Sequence, residues 1–543
     1  MRERAAAGAL SGALDNLDPY TRSLLRGPYV RILAVILLAG AAIVFAVSDG
    51  AGPTLAEDAA DDAPRSTLAA VAGRGGPAPN VIVVMVDDQS MSTFKQKYMP
   101  KTFKLLQHGE GRELNGFAAP PLCCPSRAGF ITGQYPHNHG VLRNSWRFLR
   151  EPNNTLPAWL KAAGYRTGFV GKYLNHYNDY PDPAGGWDSW FELKGSPGYF
   201  DYDVSDQGVN KRYGARRSEY STTVVTEESK EFIREEAGQG DPFFLWSSYF
   251  APHSRRSSGP YCTQESPLPL RDDFRRFKDL PVEIPKNYNE RNIDDKPSRI
   301  RRERLEPGYD RVVRDRVRCT IAAMQEVDRG VADLRQLLRR KELDDDTVIF
   351  YISDNGYFFG EHRIKEGKIL PYREAVEIPF MAHVPKRYLD GRNVAPINQS
   401  VSNVDLAPTI LDFAGARPCT RRGDCRVMDG RSMVPLMKGG NGGWPKPRPI
   451  SIQLRHDCEG YNGVYSGREI YIEWLNKKRG DCAFTEQELY DLRKDPFQLK
   501  NRLYRPSDGA VRDGKRLRRL ADRLGICAGI EGRDSPQQGR PFC

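Results

Sequence analysis

The segment CCPSR at residues 123–127 combines residue types that suit nucleophilic chemistry on an anion. Pro125 and Ser126 favour the first turn of a helix, which places Cys123 at the helix start and Arg127, four residues on, on the same face. The free amides and dipole of a helix start attract anions, and a guanidinium adds bidentate recognition. The turn therefore offers a nucleophile-capable cysteine in an anion-binding cradle; a buried structural thiol is the plainer alternative.

Polar groups also follow three apolar, strand-like runs. They are Asp87 and Asp88 after residues 80–86, His253 soon after residues 243–249, and Asp354 and Asn355 after residues 347–353. Carboxylates at the end of a buried strand are costly unless a cation or donors compensate them. Open α/β sheets bind ligands at the carboxyl ends of their strands, so this pattern predicts a ligand site there.

The segments between these runs have helical periodicity. They cover residues 155–163, 218–236, 309–341 and 405–414. Strands alternating with helices indicate an α/β fold, with a large, mostly parallel sheet flanked by helices on both faces. Beyond Gly439, short alternating stretches and a charged helix near 513–524 indicate a smaller α+β subdomain. We therefore expect a main domain over residues 79–438 and a C-terminal subdomain over residues 439–543.

The pattern C-x-P-S-R, followed by a helix containing TG, resembles the sulfatase signature, whose first cysteine is oxidised after translation to formylglycine. The doubled form CCPSRAGFITGQYPHNHGV is most similar to N-acetylglucosamine-6-sulfatases and to related endosulfatases that act on heparan sulfate. Further motifs follow in family order: NVIVVMVDDQ, GKYLN, FAPH, SDNGYFFGEH with its later GK, NVDLAPTILDFAG and ELYDLRKDP. The resemblance extends from about Asn80 to about Leu503 and implies a sulfuric ester hydrolase on the alkaline-phosphatase-like fold.

The resemblance also implies a metal site. The positions that match the family's calcium ligands are Asp87, Asp88, Asp354 and Asn355, with Cys123, as formylglycine, completing the shell of one Ca²⁺. Oxygen ligands of this kind suit Ca²⁺ rather than Zn²⁺. In the family, one hydroxyl of the aldehyde hydrate attacks sulfur, and the other re-forms the carbonyl to expel sulfate. Conversion of the cysteine implies a formylglycine-generating enzyme as a partner.

Cationic residues match the family's sulfate pocket. They are Lys172 in GKYLN, His253 in APH and Lys368 in EGK. The resemblance implies that His253 or Lys368 protonates the leaving oxygen, while Arg127 and Lys172 stabilise the transition state. One position departs from the pattern, because Leu174 stands where many sulfatases carry a histidine. His176 is the alternative, either orienting the formylglycine hydroxyl or facing the substrate.

The ten cysteines divide into two groups. Cys123 and Cys124 are adjacent, and disulfide geometry disfavours a bridge between them. The other eight lie in loop-like sequence and predict structural disulfides made in an oxidising compartment, with free buried thiols as the alternative. Pairing of nearest neighbours gives Cys262–Cys319, Cys419–Cys425, Cys458–Cys482 and Cys527–Cys543.

The amino-terminal sequence predicts export. Residues 32–47 are apolar and uncharged, with arginines before them and acidic residues after them, which places the amino end inside. We expect a cytoplasmic N-terminus with a signal anchor, or a signal peptide, over residues 1–48 and a flexible linker over residues 49–78. The protein would then contact the membrane through this segment, facing outward from a bacterial cell envelope, or be secreted.

The net charge of +11 favours an anionic partner. A nucleic-acid binder explains that charge but not the acidic residues at the strand ends, so we expect no nucleic-acid partner. The preferred interpretation is a hydrolase of sulfate monoesters on a sulfated carbohydrate, such as 6-sulfated N-acetylglucosamine. Two alternatives stay open: a phosphonate or phosphodiester hydrolase of the same superfamily, and an inactive protein that binds sulfated glycans.

Overall fold

The computed structural model describes residues 77–543, apart from 178–182, 196, 256–260, 264, 442, 457 and 479–480. The predicted signal segment over residues 1–48, and the linker up to residue 76, lie outside the described residues. Of the helices in the described part of the chain, none has the length and apolar character needed to cross a membrane.

The strands fall into three sheets. In chain order they are β1 (Asn80–Val86), β2 (Gly111–Glu113), β3 (Asn115–Phe117), β4 (Arg166–Gly171), β5 (Ser189–Leu193), β6 (Tyr202–Asp206), β7 (Val209–Tyr213), β8 (Phe243–Ser248), β9 (Thr347–Ser353), β10 (Glu377–Ile378), β11 (Phe380–His383), β12 (Ser400–Ser402), β13 (Ile450–His456), β14 (Glu459–Tyr465), β15 (Glu469–Lys478) and β16 (Asp481–Asp491).

The main sheet has nine strands in the order β2-β11-β9-β1-β8-β4-β5-β6-β7. Its central strands, β9, β1, β8, β4 and β5, are parallel, and antiparallel pairs complete both edges. This confirms the predicted large, mostly parallel sheet. A second, small sheet has the order β10-β3-β12.

Helices cover both faces of the main sheet. The described α-helices are α1 (Cys123–Thr132), α2 (Pro136–His139), α3 (Leu156–Ala162), α4 (Ser221–Glu236), α5 (Arg271–Phe277), α6 (Tyr309–Arg340), α7 (Arg373–Val376), α8 (Leu406–Ala414), α9 (Val434–Met437) and α10 (Asp508–Leu524).

Strand β1 shows why both faces must be covered. Side chains alternate along a strand. Val81 and Val83 pack with α1, α3 and α8 on one face, while Ile82 and Val84 pack with α4 and α6 on the other. Every residue of β1 is buried, as its continuous apolar run predicts.

The C-terminal subdomain is the antiparallel sheet β13-β14-β15-β16 with α10 packed against it. This confirms the predicted smaller α+β unit, although α10 begins at Asp508, earlier than the predicted start near residue 513. The boundary between residues 438 and 439 stays a prediction. The four predicted disulfides are all present, and Cys123 and Cys124 are buried free thiols.

Candidate active site

Cys123 occupies the first position of α1, preceded by Leu122 in an extended conformation. The whole helix is buried, and Asn403 donates a hydrogen bond to the Ser126 carbonyl in its first turn. The Cys123 thiol lies 3.5 Å from Asp87 Oδ1 and 4.0 Å from Asp88 Oδ1. The predicted helix start is therefore directed at the predicted acidic cluster.

Two neighbouring parallel strands supply the acidic cluster. Strands β1 and β9 pair to their last residues, so the residues that follow them meet at one edge. The Asp88 amide donates to Asp354 Oδ1 at 3.2 Å, and Asn355 Nδ2 donates to Asp88 Oδ1 at 2.6 Å. Residues 266 positions apart in the sequence are thus in direct contact.

Arg127 connects the helix to this cluster and is completely buried. Its Nε donates to Asp354 Oδ2 at 2.8 Å, and Nη1 donates to the Lys172 carbonyl at 2.5 Å and to Ser248 Oγ at 2.8 Å. Its Nη2 lies 3.9 Å from Asp87 Oδ2 and has no hydrogen-bond partner among the described residues. These contacts tie together the loops that carry Lys172 and Asp354, and the role of Arg127 as a stabiliser at the sulfate stays a prediction.

Ser248 was missed by sequence reasoning. It ends β8, accepts from Arg127 and donates to the Lys172 carbonyl at 2.6 Å. The signal was the polar pair Ser247-Ser248 closing an otherwise apolar strand. Gly171, at the end of β4, makes this packing possible, because a Cβ there would lie 1.8 Å from the Ser248 carbonyl oxygen.

Three further cationic or titratable side chains reach the carboxylates from separate elements. Lys172 Nζ pairs with Asp87 Oδ2, and Lys368 Nζ lies 2.5 Å from Asp88 Oδ2. His253 Nε2 lies 3.6 Å from the same Asp88 oxygen, and its Nδ1 lies 2.6 Å from the Ser254 carbonyl oxygen. The structure thus brings together all the predicted site residues around one buried cluster.

The electrostatics of the cluster separate its carboxylates. Burial alone would raise the pKa of Asp87, but the surrounding cations, Lys172 first, hold it well below its ordinary value. Burial and the charge of Asp87 instead raise the pKa of Asp354 to about 6. Burial opposes the charge on Lys172 and Lys368, but the carboxylates that they contact raise the pKa of each. Both lysines are therefore cations at neutral pH.

The Cys123 thiol and the His253 imidazole are both neutral, because burial disfavours the charged form of each. Burial, and then the charge of Asp87, raises the pKa of the Cys123 thiol well above its ordinary value. Burial, and then Lys368, lowers the pKa of His253 to about 4. The unmodified thiol in this setting is protonated and is a poor nucleophile.

The clustered donors could hold a metal ion. Oxygen, sulfur and nitrogen atoms of Asp87, Asp88, Cys123 and His253 lie within 4.8 Å of one another. Asn355 Oδ1 is buried without a hydrogen-bond partner among the described residues, as expected of an oxygen reserved for a ligand. Carboxylate and amide oxygens are the ligands that Ca²⁺ prefers. The cluster is therefore a candidate metal site, and its occupation by Ca²⁺ stays a prediction.

Leu174, at the position where many sulfatases carry a histidine, and the nearby His176 lie in different environments. Leu174 is buried in the hydrophobic core, whereas His176 is exposed and has a φ of 64°. Burial raises the pKa of the Cys124 thiol to about 12, although the backbone of Asn175, which stands between Leu174 and His176, lies against that thiol and opposes the rise. The role of His176 stays a prediction.

Comparison with known proteins identifies the family. The family model described as Sulfatase matches residues 79–416, and the model described as N-sulphoglucosamine sulphohydrolase, C-terminal, matches residues 360–521. The first match covers more than half of the chain. The chain belongs to the sulfatase family of sulfuric ester hydrolases.

Relatives of known name agree with this assignment. The N-acetylglucosamine-6-sulfatase of Capra hircus is 30% identical over 484 residues, covering 79% of this chain and 81% of the relative. The extracellular sulfatase SULF-1 homolog of Drosophila melanogaster is 30% identical over 426 residues, covering 76% of this chain. The chain spans only 36% of the length of that fly protein.

Solved structures share the fold. One, in complex with its substrate D-glucosamine-2-N,6-O-disulfate, has a TM-score of 0.66 at 21% identity and covers 82% of this chain and 97% of its own. The phosphonate monoester hydrolase of Agrobacterium radiobacter has a TM-score of 0.59 at 20% identity and covers 82% and 96%. At these identities the likeness shows the fold alone.

Proposed function

We propose that this protein hydrolyses sulfate monoesters on a sulfated sugar, with Cys123 as the precursor of the nucleophile. The observation that carries the proposal is the convergence on Cys123 of three acidic strand-end residues, Asp87, Asp88 and Asp354, with the cations Lys172 and Lys368. Such a site places a nucleophile next to fixed cations, which can stabilise the negative charge that moves onto the leaving oxygen of a sulfate ester in the transition state.

Oxidation of Cys123 to formylglycine is part of the proposal. The neutral state of the buried thiol supports it, because an unmodified cysteine would have to lose its proton next to Asp87. In that form residue 123 would offer one hydroxyl for attack on sulfur with displacement of the alcohol, and a second whose loss of a proton would re-form the carbonyl and release sulfate. The helix start at α1 holds this residue against the carboxylates.

The proposed metal is Ca²⁺, held by Asp87, Asp88, Asp354, Asn355 and the modified residue 123. A bound divalent ion would neutralise sulfate oxygens and favour the ionised form of the nucleophile. The unpartnered Asn355 Oδ1 supports this ligand set.

The side chains of the chain supply the remaining steps. Lys368 and His253 both approach Asp88 Oδ2, at 2.5 and 3.6 Å. Lys368 carries its proton at neutral pH and is placed to protonate the leaving oxygen, whereas the neutral His253 could do so only after taking up a proton itself. Lys172 contributes fixed positive charge beside Asp87, and Arg127 holds the loops that carry Lys172 and Asp354. Burial keeps these charges in a medium where each interaction is stronger than in water.

The substrate class that we propose is a carbohydrate sulfate such as 6-sulfated N-acetylglucosamine. The names of the caprine relative and of the substrate in the solved complex support it. Four disulfides and the extracellular relative support an exported protein.

The test compares Cys123→Ala with its matched control Cys124→Ala, after co-expression with a formylglycine-generating enzyme. Mass spectrometry of the tryptic peptide 113–127 should show formylglycine at residue 123 in the wild type and in the control. Sulfate release from N-acetylglucosamine 6-sulfate and from nitrophenyl sulfate should be lost in Cys123→Ala and kept in Cys124→Ala.

Two outcomes would contradict the proposal in different ways. Cleavage of a phenyl phosphonate ester without sulfate release would favour the phosphonate hydrolase, whose fold this chain shares. An intact thiol at residue 123, with binding of sulfated sugar but no turnover, would favour the inactive glycan-binding protein.

A further inference from the structure

Ile369 follows Lys368 directly and has an unusual backbone. Its φ is +88°, in the left-handed region where a side chain branched at Cβ is strongly disfavoured. Among the described non-glycine residues with positive φ, it is the only β-branched one. Two positions earlier the same turn uses a glycine, Gly367, at φ +102°. A glycine at 369 would adopt this conformation without strain.

The side chain of Ile369 gains little from burial in the free protein. It is 43% exposed, whereas the Lys368 side chain beside it is 12% exposed and Cys123 is 1% exposed. Most large apolar side chains in the described part of the chain are buried, and a single exposed one needs no explanation by itself. Here, however, the exposure coincides with a strained backbone directly beside Lys368. The residue therefore has both backbone strain and uncovered apolar surface next to the proposed proton donor.

Hydrogen bonds on both sides of Ile369 hold the strained conformation. Its N–H donates to the Pro121 carbonyl at 3.0 Å, two residues before Cys123. Its carbonyl accepts a hydrogen bond at 2.5 Å from the hydroxyl of Tyr461, a buried residue of β14 in the C-terminal subdomain. The segment before Cys123 and the C-terminal sheet thus hold the backbone of Ile369, which carries an exposed side chain, at the edge of the site. Strain that the surroundings impose in this way is characteristic of functional positions.

We propose that Ile369 is a specificity-determining residue that packs against the apolar C–H face of the sugar carrying the sulfate ester. This inference rests on the proposed function and adds to it a contact with the substrate outside the charged cluster. Burial of the Ile369 side chain by bound substrate then supplies the free energy that offsets the strained backbone. Pro121 and Tyr461 act as positioning residues for it.

The test measures steady-state kinetics on N-acetylglucosamine 6-sulfate, together with Tm, for Ile369→Gly and Ile369→Val. The glycine variant should raise KM about tenfold and leave kcat within about twofold, because the contact forms equally in ground and transition states. Its Tm should be unchanged or higher, because the strain is removed. The valine variant keeps an apolar branched side chain, so its KM should stay within about threefold of wild type.

Two further variants separate this role from a packing role. Glu342→Gly places a glycine at a positive φ of 59° at an exposed position outside the site, so its Tm reports strain relief alone and its KM should not change. Tyr461→Phe removes the hydroxyl that holds the Ile369 carbonyl and should raise KM although the isoleucine is still present.

An unchanged KM in Ile369→Gly would overturn the inference, as would a joint fall in kcat and Tm, which indicates packing within the fold. A wild type that releases no sulfate would defeat the proposed function instead. Calorimetric binding of the same sulfated sugar to wild type and Ile369→Gly would then still decide the inference, since weaker binding to the variant supports it and equal binding refutes it.

Discussion

Replacing Glu192 by glutamine should stabilise the protein at neutral pH. Glu192 lies on β5 opposite Gly171 of β4 and is only 3% exposed. Burial raises the pKa of its carboxyl from 4.5 to about 8, and Lys194 only partly opposes this. The folded protein therefore keeps a proton that the unfolded chain has released.

The sign and size of the effect follow from this pKa difference. Below pH 4.5 both states are protonated and Glu192 has no linkage effect. As pH rises from 4.5 towards 8, the unfolded chain ionises while the folded protein does not, so the free energy of unfolding falls. At pH 7 the loss is about 3 kcal/mol, and at pH 5 it is below about 1 kcal/mol.

Urea unfolding at pH 5 and pH 7 measures the effect. Glu192→Gln cannot ionise, so its free energy of unfolding should exceed that of wild type by about 3 kcal/mol at pH 7 and by much less at pH 5. The exposed Glu303→Gln serves as the control and should show no such dependence on pH. A stability difference that is the same at both pH values, or a less stable variant at pH 7, would refute the reasoning.

Three further predictions concern the metal site, a disulfide and a buried ion pair. Ca²⁺ at 100 times its Kd should stabilise EDTA-treated protein by about 2.7 kcal/mol, seen as a higher Tm, and no shift would contradict the metal site. Replacing Cys527 and Cys543 by serine opens a link across 16 positions and should cost about 3 kcal/mol in denaturant unfolding, whereas an unchanged midpoint would show the bridge to be dispensable. Asp405 accepts hydrogen bonds from both terminal nitrogens of the buried Arg448. Asp405→Ala should therefore lower the free energy of unfolding by about 3 to 5 kcal/mol in the same assay, because it leaves a buried charge unpaired. A loss below about 1 kcal/mol would refute this account of the pair.

Much of the fold could be predicted from local sequence. The run over residues 81–86 is apolar throughout, so it had to be buried on both faces, and the helix predicted over residues 309–341 is observed as Tyr309–Arg340. Such elements follow from hydrophobic periodicity, which depends only on neighbours in the chain. The antiparallel edges of the main sheet were not predicted, because strand order depends on contacts between distant segments.

The residue types of the site were also visible in the sequence, because the CCPSR turn and the strand-end carboxylates are local patterns. Their arrangement was not. The sequence predicts Arg127 beside the sulfate, which stays a prediction, and its burial against Asp354 and Ser248 could be seen only once α1, β8 and β9 were packed together. Ile369 carried no signal at all, because its positive φ is imposed by partners 248 and 92 positions away.

The sequence by itself thus determined the chemistry that this protein has available, namely a cysteine at a helix start, strand-end carboxylates and three cationic positions. Only the tertiary structure decided which of these groups meet, how each is charged and which backbone carries strain. The physical reason is that side-chain identity and periodicity are properties of the chain, whereas burial, pKa and enforced conformation arise from residues that folding brings close together.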